Sequence, residues 1–477
     1  MAGIPRSREE VLIVCRHQQS PGGVTRRAAV GALAATALVG RRAWGLPSRA
    51  ASYRDVADGA QRWLARHAVP TPNGVTWAAD PLDAKSVQTN LYSGAPGVVL
   101  FLAEHARVTG NAVSMDLAVR GAKELAAAVQ RARADRQRGA KSEFDGEGMG
   151  LYTGVAGLAY LFERVYRLTD EPGFRTAATS VTALLGEAIV PDGPGGAWNG
   201  STDIISGSSG IGLTLLWAAK ALGDERAVAL ARRAGQSVLA LGTTMPGGLT
   251  WKISAATPRR YPNFSHGAGG VGFFLATLHA ATGDALFLDG ARKAASYLQS
   301  VATQTPSGGR MVFHSEGNEQ LFYLSWCHGP SGTARLFHRL GEVTKDRAYA
   351  AFADQLNVAT RDMKVPERSP GFWNNISQCC GNCGVVEHFV AMHDRTGDSR
   401  HLEYAKLVAD DVASRATTDG DGMKWIQAEH RVRPELLVAQ TGLMQGAAGV
   451  GLAMLHLDGA TKGRRPFVVL PDSPYFA

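Results

Sequence analysis

The chain has 477 residues, of which 45% are hydrophobic and 19% are charged, so it can bury a large core. This balance excludes a disordered or fibrous protein, and five cysteines are too few for a fold built on disulfides. The net charge is +8, but residues 1–45 carry +5 of it through seven Arg and two Glu. The nearly neutral remainder does not indicate nucleic acid as a partner.

The first predicted element is an export signal. Arg26 and Arg27 precede the short apolar stretch 28–40, which resembles a twin-arginine signal and predicts a periplasmic or extracellular protein. The alternative is an Ala-rich helix with basic ends in a cytoplasmic protein. The apolar stretch is shorter than the roughly 20 residues that span a bilayer, so we expect no stable membrane span. We therefore divide the chain into a signal at 1–45 and one domain at 46–477.

The rest of the chain repeats one motif, Gly-x-x-Gly followed by an apolar run. Its seven copies are 52 to 65 residues apart. The first glycines of the copies are Gly94, Gly154, Gly207, Gly267, Gly329, Gly381 and Gly446. Such regular spacing indicates a repeat architecture in which each unit packs on its neighbours. We interpret the glycines mainly as structural residues that allow tight turns and close helix packing.

Each repeat predicts two helices. The motif opens an apolar helix, a turn often containing Gly-Asp or Gly-Asn follows, and an amphipathic helix completes the unit, as at 285–302 and 347–363. Another amphipathic helix is predicted at 53–69. The total is seven inner and seven outer helices, with no strand pattern of consequence. Because the inner helices are apolar nearly all round, an outer ring must cover them, which predicts an all-α fold of the α/α toroid type, a double barrel.

In such a toroid the inner helices run the same way, so the residues before each first glycine gather at one end, here called the mouth. Repeats four to six place metal-binding side chains there. These side chains are His266, Cys327, His328, Cys379 and Cys380. Seven helix N-termini at the mouth also favour negative charge.

The cysteines predict a zinc site at the mouth. Cys327 and Cys379 occupy the same place in consecutive repeats, and Cys380 is adjacent. Three soft thiolates with histidine nearby suit Zn²⁺. The alternatives are buried structural thiols, a disulfide, or a redox pair of Cys380 and Cys383. The redox pair leaves Cys327 and the histidines unexplained, and the role of Cys383 stays open.

At these motifs the sequence resembles the lanthionine synthetase C (LanC-like) family. The matching stretches are 202–207, 265–267, 326–329 and 379–381, and with the repeats the resemblance extends over most of the domain. Members fold as double α/α barrels and bind one zinc ion. They add cysteine thiols to dehydroalanine or dehydrobutyrine, which closes thioether rings in peptides. The resemblance implies the same fold and a stand-alone cyclase.

Carried over by position, the resemblance assigns zinc to Cys327, Cys379 and Cys380, with water or a substrate thiol as the fourth ligand. Cys380 replaces the usual histidine, but a Cys-Cys-Gly version occurs in some cyclases of this superfamily. His328 replaces the usual aromatic residue. It is interpreted as a group supporting the ligands, a competing ligand, or a hydrogen-bonding residue of the mouth.

The resemblance also implies two residues for proton transfer. In the family a histidine and an aspartate near the metal have this role, and the matching residues are His266 and Asp203. The ordinary pKa of an imidazole suits proton transfer near neutral pH. Asp203 would orient His266 or hold it protonated. Its alternative role is that of a helix cap near Ser206.

The implied function is a zinc-dependent thioether cyclase acting on a dehydrated peptide that contains Ser, Thr and Cys. The chain has no room for a dehydratase, so a separate protein would supply this peptide, and we expect a monomer. Two alternatives are addition of a small thiol such as glutathione to dehydro residues, and a non-catalytic, zinc-containing toroid that binds peptides. Export favours both. An α/α-barrel glycosidase would need paired carboxylates, whereas the mouth offers Cys and His.

Overall fold

The computed structural model describes residues 52–475, except 142–143, 145–147, 368–371, 374 and 429–430. Fourteen helices lie in this part of the chain, alternating between an inner and an outer ring. The predicted all-α toroid of seven inner and seven outer helices is confirmed. The predicted export signal lies outside the described residues, so the division at residue 45 stays a prediction.

The seven inner helices begin within the glycine motifs and consist of the apolar runs that follow. They are α2 (Ala95–Thr109), α4 (Ala156–Thr169), α6 (Ser208–Leu222), α8 (Ala268–Thr282), α10 (Pro330–Thr344), α12 (Asn382–Thr396) and α14 (Ala447–Ala460). None of the described helices is long and apolar enough to cross a bilayer. The apolar side chains of the inner helices instead form the core between the two rings.

The seven outer helices are amphipathic and cover the inner ring. They are α1 (Tyr53–Arg66), α3 (Ala112–Gln137), α5 (Pro172–Ala188), α7 (Glu225–Ala240), α9 (Ala285–Ser300), α11 (Arg347–Asp362) and α13 (Ser399–Ser414). The aspartates of the predicted turns cap several of them. Asp346 accepts from the main-chain N–H of Ala348 at 2.9 Å, and Asp398 accepts from that of Arg400 at 2.9 Å.

The two ends of the chain close the ring together. Each inner helix contacts the next one around the ring, and α14 contacts α2, so the inner ring has no open edge. Every inner helix also packs against the outer helix that follows it in the chain. The exception is α14, which packs against α1 from the start of the domain. The amphipathic helix predicted before the first motif is therefore the outer partner of the last repeat.

The prediction of no strands of consequence misses fourteen short strands in the described part of the chain. They form six antiparallel hairpins and one parallel pair. The strands are β1 (Val69–Thr71), β2 (Gly74–Thr76), β3 (Val190–Asp192), β4 (Gly195–Ala197), β5 (Thr243–Met245), β6 (Gly248–Thr250), β7 (Thr303–Gln304), β8 (Arg310–Met311), β9 (Phe322–Tyr323), β10 (Phe372–Trp373), β11 (Thr417–Asp419), β12 (Gly422–Lys424), β13 (Gln427–Ala428) and β14 (Leu437–Val438). Strands of two or three residues are too short for a periodic sequence pattern.

A tryptophan follows four of the hairpins and ties each hairpin to the preceding outer helix. Every one of the four indoles donates to a main-chain carbonyl oxygen thirteen residues earlier, at 2.7 to 2.9 Å. The pairs are Trp77 with Leu64, Trp198 with Leu185, Trp251 with Val238, and Trp425 with Val412. The four indole hydrogen bonds thus fix the path by which these hairpins lead the chain from the outer ring back to the mouth.

A closed ring of seven main-chain hydrogen bonds encircles the mouth, and we call it the collar. Each bond joins one repeat to the next, at 2.8 to 3.1 Å. The collar bonds run from Tyr92 N–H to Tyr152 O, Tyr152 to Ile205, Ile204 to Ser265, Ser265 to Cys327, Cys327 to Cys379, Cys379 to Met444, and Met444 to Tyr92. Each collar residue lies two places before the first glycine of its motif. In the third repeat Ile205 accepts the bond from Tyr152, and Ile204 next to it donates the bond to Ser265.

The second glycine of each motif packs against the main chain that enters the collar. A Cβ added at Gly332 would lie 1.8 Å from the carbonyl oxygen of Trp326, and one at Gly449 would lie 1.9 Å from that of Leu443. No side chain fits at such distances without displacing the main chain. These glycines are structural, as interpreted from the sequence.

Candidate metal centre

Three thiols from two neighbouring repeats meet at the collar. Cys327 and Cys379 are consecutive collar residues, joined by a bond from the Cys327 N–H to the Cys379 oxygen at 3.0 Å. Cys380 follows directly, and its main-chain N–H donates to the Ser377 hydroxyl at 3.1 Å. The main chain therefore fixes the spacing of the three cysteines, all of which are buried.

The distances between the sulfur atoms fit a metal site. The Sγ atom of Cys380 lies 3.3 Å from that of Cys327 and 3.5 Å from that of Cys379. A disulfide requires about 2.05 Å, and the four described cysteines carry none. Tetrahedral Zn–S bonds of about 2.3 Å place neighbouring sulfurs roughly 3.8 Å apart, close to the spacing found. Among the described residues, these three cysteines are the group of side chains whose ligand atoms lie close enough together to hold a metal ion.

The pKa values of Cys327 and Cys379 shift in opposite directions. Burial and the two neighbouring thiols raise the pKa of Cys327 well above its usual range. Burial acts in the same sense on Cys379, but hydrogen bonds from Cys327, Cys380 and Tyr92 outweigh it and lower the pKa of Cys379. Within this pair, Cys379 is therefore the thiol that favours the thiolate form. A divalent cation supplies the charge that three thiolates need, so the donor set fits zinc.

Cys383 lies apart from this cluster. Its thiol is fully buried on α12, and burial together with Glu387 and Asp411 raises its pKa well above the usual range. Cys380 instead directs its sulfur at Cys327 and Cys379. The geometry therefore gives no support to a redox pair of Cys380 and Cys383, and Cys383 is a buried thiol of the inner ring.

His266 and Asp203 form a buried pair at the mouth, as the resemblance implies. The Nδ1 atom of His266 makes a short contact with one carboxylate oxygen of Asp203. The other carboxylate oxygen accepts from the N–H and the hydroxyl of Ser206, both at 3.0 Å. Asp203 thus contacts the imidazole through one oxygen and caps the turn before α6 through the other, the geometry that both predicted roles require. The side chain of His266 is 8% exposed and that of Asp203 is fully buried.

His328 lies in a cluster of aromatic rings next to the thiols. Its ring centre is 4.5 Å from that of His314, 5.0 Å from Tyr261, 5.6 Å from Tyr323 and 5.7 Å from His266. The Nε2 atom of His328 is also 3.4 Å from the hydroxyl of Ser265, a collar residue. This placement fits a residue that packs against the His266 side of the site.

Several residues of this site were missed from the sequence. Tyr92 is a collar residue whose hydroxyl contacts Cys379 and accepts from Gln445 Nε2 at 3.0 Å. His314 and Tyr261 belong to the ring cluster, but neither lies one or two places before a glycine motif. Tyr92 could have been found, since it occupies the same repeat position as Cys327 and Cys379. His314 carried no such signal.

Comparison with known proteins agrees with this architecture. None of the curated protein sequences is significantly similar to the chain. Among solved structures, nisin cyclase has 16% sequence identity and a TM-score of 0.57, covering 86% of this chain and 98% of its own. A sugar epimerase from a ruminal bacterium has 12% identity and a TM-score of 0.47, covering 86% and 97%.

The sequence model of the family described as lanthionine synthetase C-like protein matches residues 85–470. This range includes all seven glycine motifs, the collar and the three thiols. Because the match extends over most of the chain and over its whole mouth, the chain belongs to the lanthionine synthetase C-like family.

Proposed function

We propose that the protein is a zinc-dependent thioether cyclase, which adds cysteine thiols to dehydroalanine or dehydrobutyrine within a modified peptide. The observation that carries the proposal is the convergence of three thiols beside the buried pair of His266 and Asp203. A metal site next to an oriented imidazole suits a reaction that needs both a thiolate and a proton donor. Membership of the family and the fold shared with nisin cyclase support the same function.

Cys327, Cys379 and Cys380 would hold the zinc ion through their sulfur atoms. When bound, zinc lowers the pKa of a coordinated substrate thiol, so that a cysteine of the peptide is present as thiolate near neutral pH. The hydroxyl of Tyr92 donates to Cys379 and stabilises negative charge on that sulfur. The buried collar keeps the three sulfurs in place as a substrate enters from the mouth.

His266 would deliver the proton that completes the addition. The sulfur forms a bond to the β-carbon of the dehydro residue, the carbon–carbon double bond becomes single, and the α-carbon takes a proton. Asp203 engages Nδ1 of the ring, so the transfer would proceed through Nε2. The carboxylate also stabilises the protonated imidazole that must exist before the transfer.

The peptide would arrive already dehydrated, because the addition consumes a double bond that a separate dehydratase must form. The proposed export signal would place the protein outside the cytoplasm, where a thiol such as glutathione is a second candidate donor. Both thiols would use the same three cysteines and the same proton donor. The experiment must therefore separate ring closure from addition of a small thiol.

The test supplies zinc-loaded protein with a dehydrated peptide that contains one free cysteine. Ring closure leaves the mass unchanged, so the product is alkylated at free thiols and weighed by mass spectrometry. Loss of the alkylated form is expected, and protein stripped of zinc with a chelator is the control. In a parallel reaction that also contains glutathione, a peptide whose mass rises by one glutathione would indicate the small-thiol reaction. Binding of the peptide without either product would indicate that the protein is a non-catalytic toroid that binds peptides.

A further inference from the structure

The C-terminal segment after α14 enters the space enclosed by the seven inner helices, which we call the lumen. The main-chain N–H groups of Phe467 and Val468 donate to Glu104 of α2 at 2.9 and 2.7 Å. The N–H of Val469 donates to the hydroxyl of Tyr160 on α4 at 2.6 Å. These bonds hold residues 467–469 against the inner helices, and Val468 is part of the core.

Asp472 is the point at which this segment reaches the underside of the collar. One of its carboxylate oxygens accepts from the Trp326 indole N–H at 3.0 Å and from Nη1 of Arg335 at 2.7 Å. The side chain of Asp472 is 1% exposed and that of Arg335 is 15% exposed. Hydrogen bonds to a buried charged group are stronger than those between neutral groups in water, so this contact holds its partners firmly.

Trp326 links Asp472 to the thiols. It directly precedes Cys327, so the hydrogen bond that holds its indole acts next to the main chain of that ligand. Its ring also packs edge-on against Tyr152, a collar residue, at 5.0 Å, and against Phe264 at 5.7 Å. The indole therefore packs against Tyr152 and Phe264, and its N–H donates to the carboxylate of Asp472.

The space left between the collar and the segment is small. It is a cavity of about 90 Å³. Its polar lining includes Trp326, Arg335, Glu387, His456 and Asp472. The C-terminal segment lines this space from below, and Asp472 and Trp326 share its surface.

We propose that Asp472 is a positioning residue for the metal centre: it fixes the Trp326 indole from inside the lumen and thereby the direction of the Cys327 thiol. The inference rests on the proposed zinc site, but it concerns affinity for the metal and not turnover. Residues that orient a metal ligand typically contribute 10- to 100-fold to metal affinity when they are removed.

The test measures zinc affinity by competition with a chelator, and the visible spectrum of the Co²⁺-loaded protein. Asp472→Ala is expected to weaken zinc binding 10- to 100-fold and to shift the Co²⁺ bands, which report the geometry of the thiolates. Asp472→Asn should recover much of the affinity, because its carbonyl oxygen can accept the same two hydrogen bonds. Trp326→Phe keeps the ion pair with Arg335 and should lose affinity as well.

Asp458 supplies the matched control. It is a buried carboxylate in the last turn of α14, just before the segment, paired with Lys462 at 2.7 Å and Arg464 at 3.1 Å, and it does not contact Trp326. Asp458→Ala should lower stability and leave zinc affinity and the Co²⁺ spectrum unchanged.

Wild-type zinc affinity and an unchanged Co²⁺ spectrum in both Asp472→Ala and Trp326→Phe would overturn the proposal, whatever happens to thermal stability. If Asp472→Ala does not fold, the comparison of Trp326→Phe with Asp458→Ala decides. A wild-type protein that binds no zinc would overturn this proposal together with the proposed function. A protein that binds zinc but closes no rings would overturn the cyclase alone.

Discussion

The main-chain N–H of Met444 donates to the carbonyl oxygen of Tyr92 at 2.9 Å, and this bond joins the last repeat to the first. It completes the collar, in which every repeat holds its two neighbours through the main chain. Cys327 and Cys379 are members of the collar, so the spacing of their sulfurs depends on the ring and not on contacts between the thiols themselves. Substitutions of the thiols themselves should consequently leave the main-chain framework of the site intact.

We predict one zinc ion per chain, held by Cys327, Cys379 and Cys380. Replacing any one of the three with Ala should sharply reduce the bound zinc, since each removes one of three charged ligands. Elemental analysis of purified protein gives the stoichiometry. Cys383→Ala is the control, because the Cys383 thiol lies apart from the cluster. This variant should keep one full equivalent of zinc. Stoichiometric zinc in the triple-Ala variant would refute the ligand assignment.

We predict that His266 can be removed without loss of the metal. His266→Asn should keep zinc and fold but slow thiol addition, because a positioned general acid or base typically contributes ~10²–10⁴-fold. Asp203→Asn should have a smaller effect in the same direction, since the ring would remain but lose its charged partner. The alkylation assay on the dehydrated peptide gives the rate. Full zinc and a wild-type rate in His266→Asn would show that another group transfers the proton.

The repeat explains how much of the fold the sequence could predict. The glycine motifs and the helical periodicity predicted the number and order of the fourteen described helices, and whether each belongs to the inner or the outer ring. The hairpins were missed because two- or three-residue strands show no alternation, although turn sequences such as Asn73-Gly74 precede Trp77. The tryptophans repeat at a fixed distance from the outer helices, and this pattern marks the hairpins better than strand propensity does.

The site was predictable where the repeat brought residues together and not elsewhere. Cys327, Cys379 and His266 share positions relative to the glycines, so a ring places them at one mouth. Asp472 and His314 occupy no repeat position. Their proximity to the site depends on the path of the C-terminal segment and of the loop after β8, which no local sequence pattern specifies.

We predict that the fold loses stability in mild acid partly through His338 of α10. Burial is the main cause that lowers the pKa of this imidazole from 6.5 to about 3, with Arg395 and His401 adding to it. Neither ring nitrogen has a hydrogen-bond partner within the described residues. The unfolded chain therefore takes up a proton near pH 6.5 that the folded chain does not bind until near pH 3. Stability falls as the pH falls through this window.

The measurement is the free energy of unfolding by denaturant at several pH values between 7.5 and 4.5. His338→Phe should remove a slope of up to about 1.4 kcal/mol per pH unit below pH 6.5. Leu340→Val, on the same helix, is the control and should shift stability by the same amount at every pH. His388 is also buried with a lowered pKa, so some slope should remain. An unchanged slope in His338→Phe would contradict the prediction.

We predict that Arg26 and Arg27 direct export of the folded protein. Paired arginines before a short apolar stretch are typical of a signal that carries folded cargo, which would allow zinc to be loaded before export. Residues 1–50 are fused to a reporter that is active only after folded export. The reporter should leave the cytoplasm, and changing both arginines to Lys should retain it there. Retention of the unchanged fusion in the cytoplasm would contradict the prediction.

The last prediction compares two glycines of α10. A Cβ at Gly332 would lie 1.8 Å from the Trp326 oxygen, so Gly332→Ala should push the main chain before Cys327 out of place. We expect it to cost about 1–3 kcal/mol of stability and to weaken zinc binding. Gly341 has no neighbouring atom nearer than 3.8 Å, so Gly341→Ala should be neutral or stabilise the helix by up to ~1 kcal/mol.

Denaturant unfolding gives the two stabilities, and chelator competition gives the two zinc affinities. Both variants add one methyl group to the same helix, so a difference in zinc affinity between them reports on the contact with Trp326 and not on helix propensity. Equal zinc affinities in Gly332→Ala and Gly341→Ala would mean that the close packing of Gly332 does not control the position of Cys327. A loss confined to Gly332→Ala would show that the glycine motif sets the metal site as well as the ring.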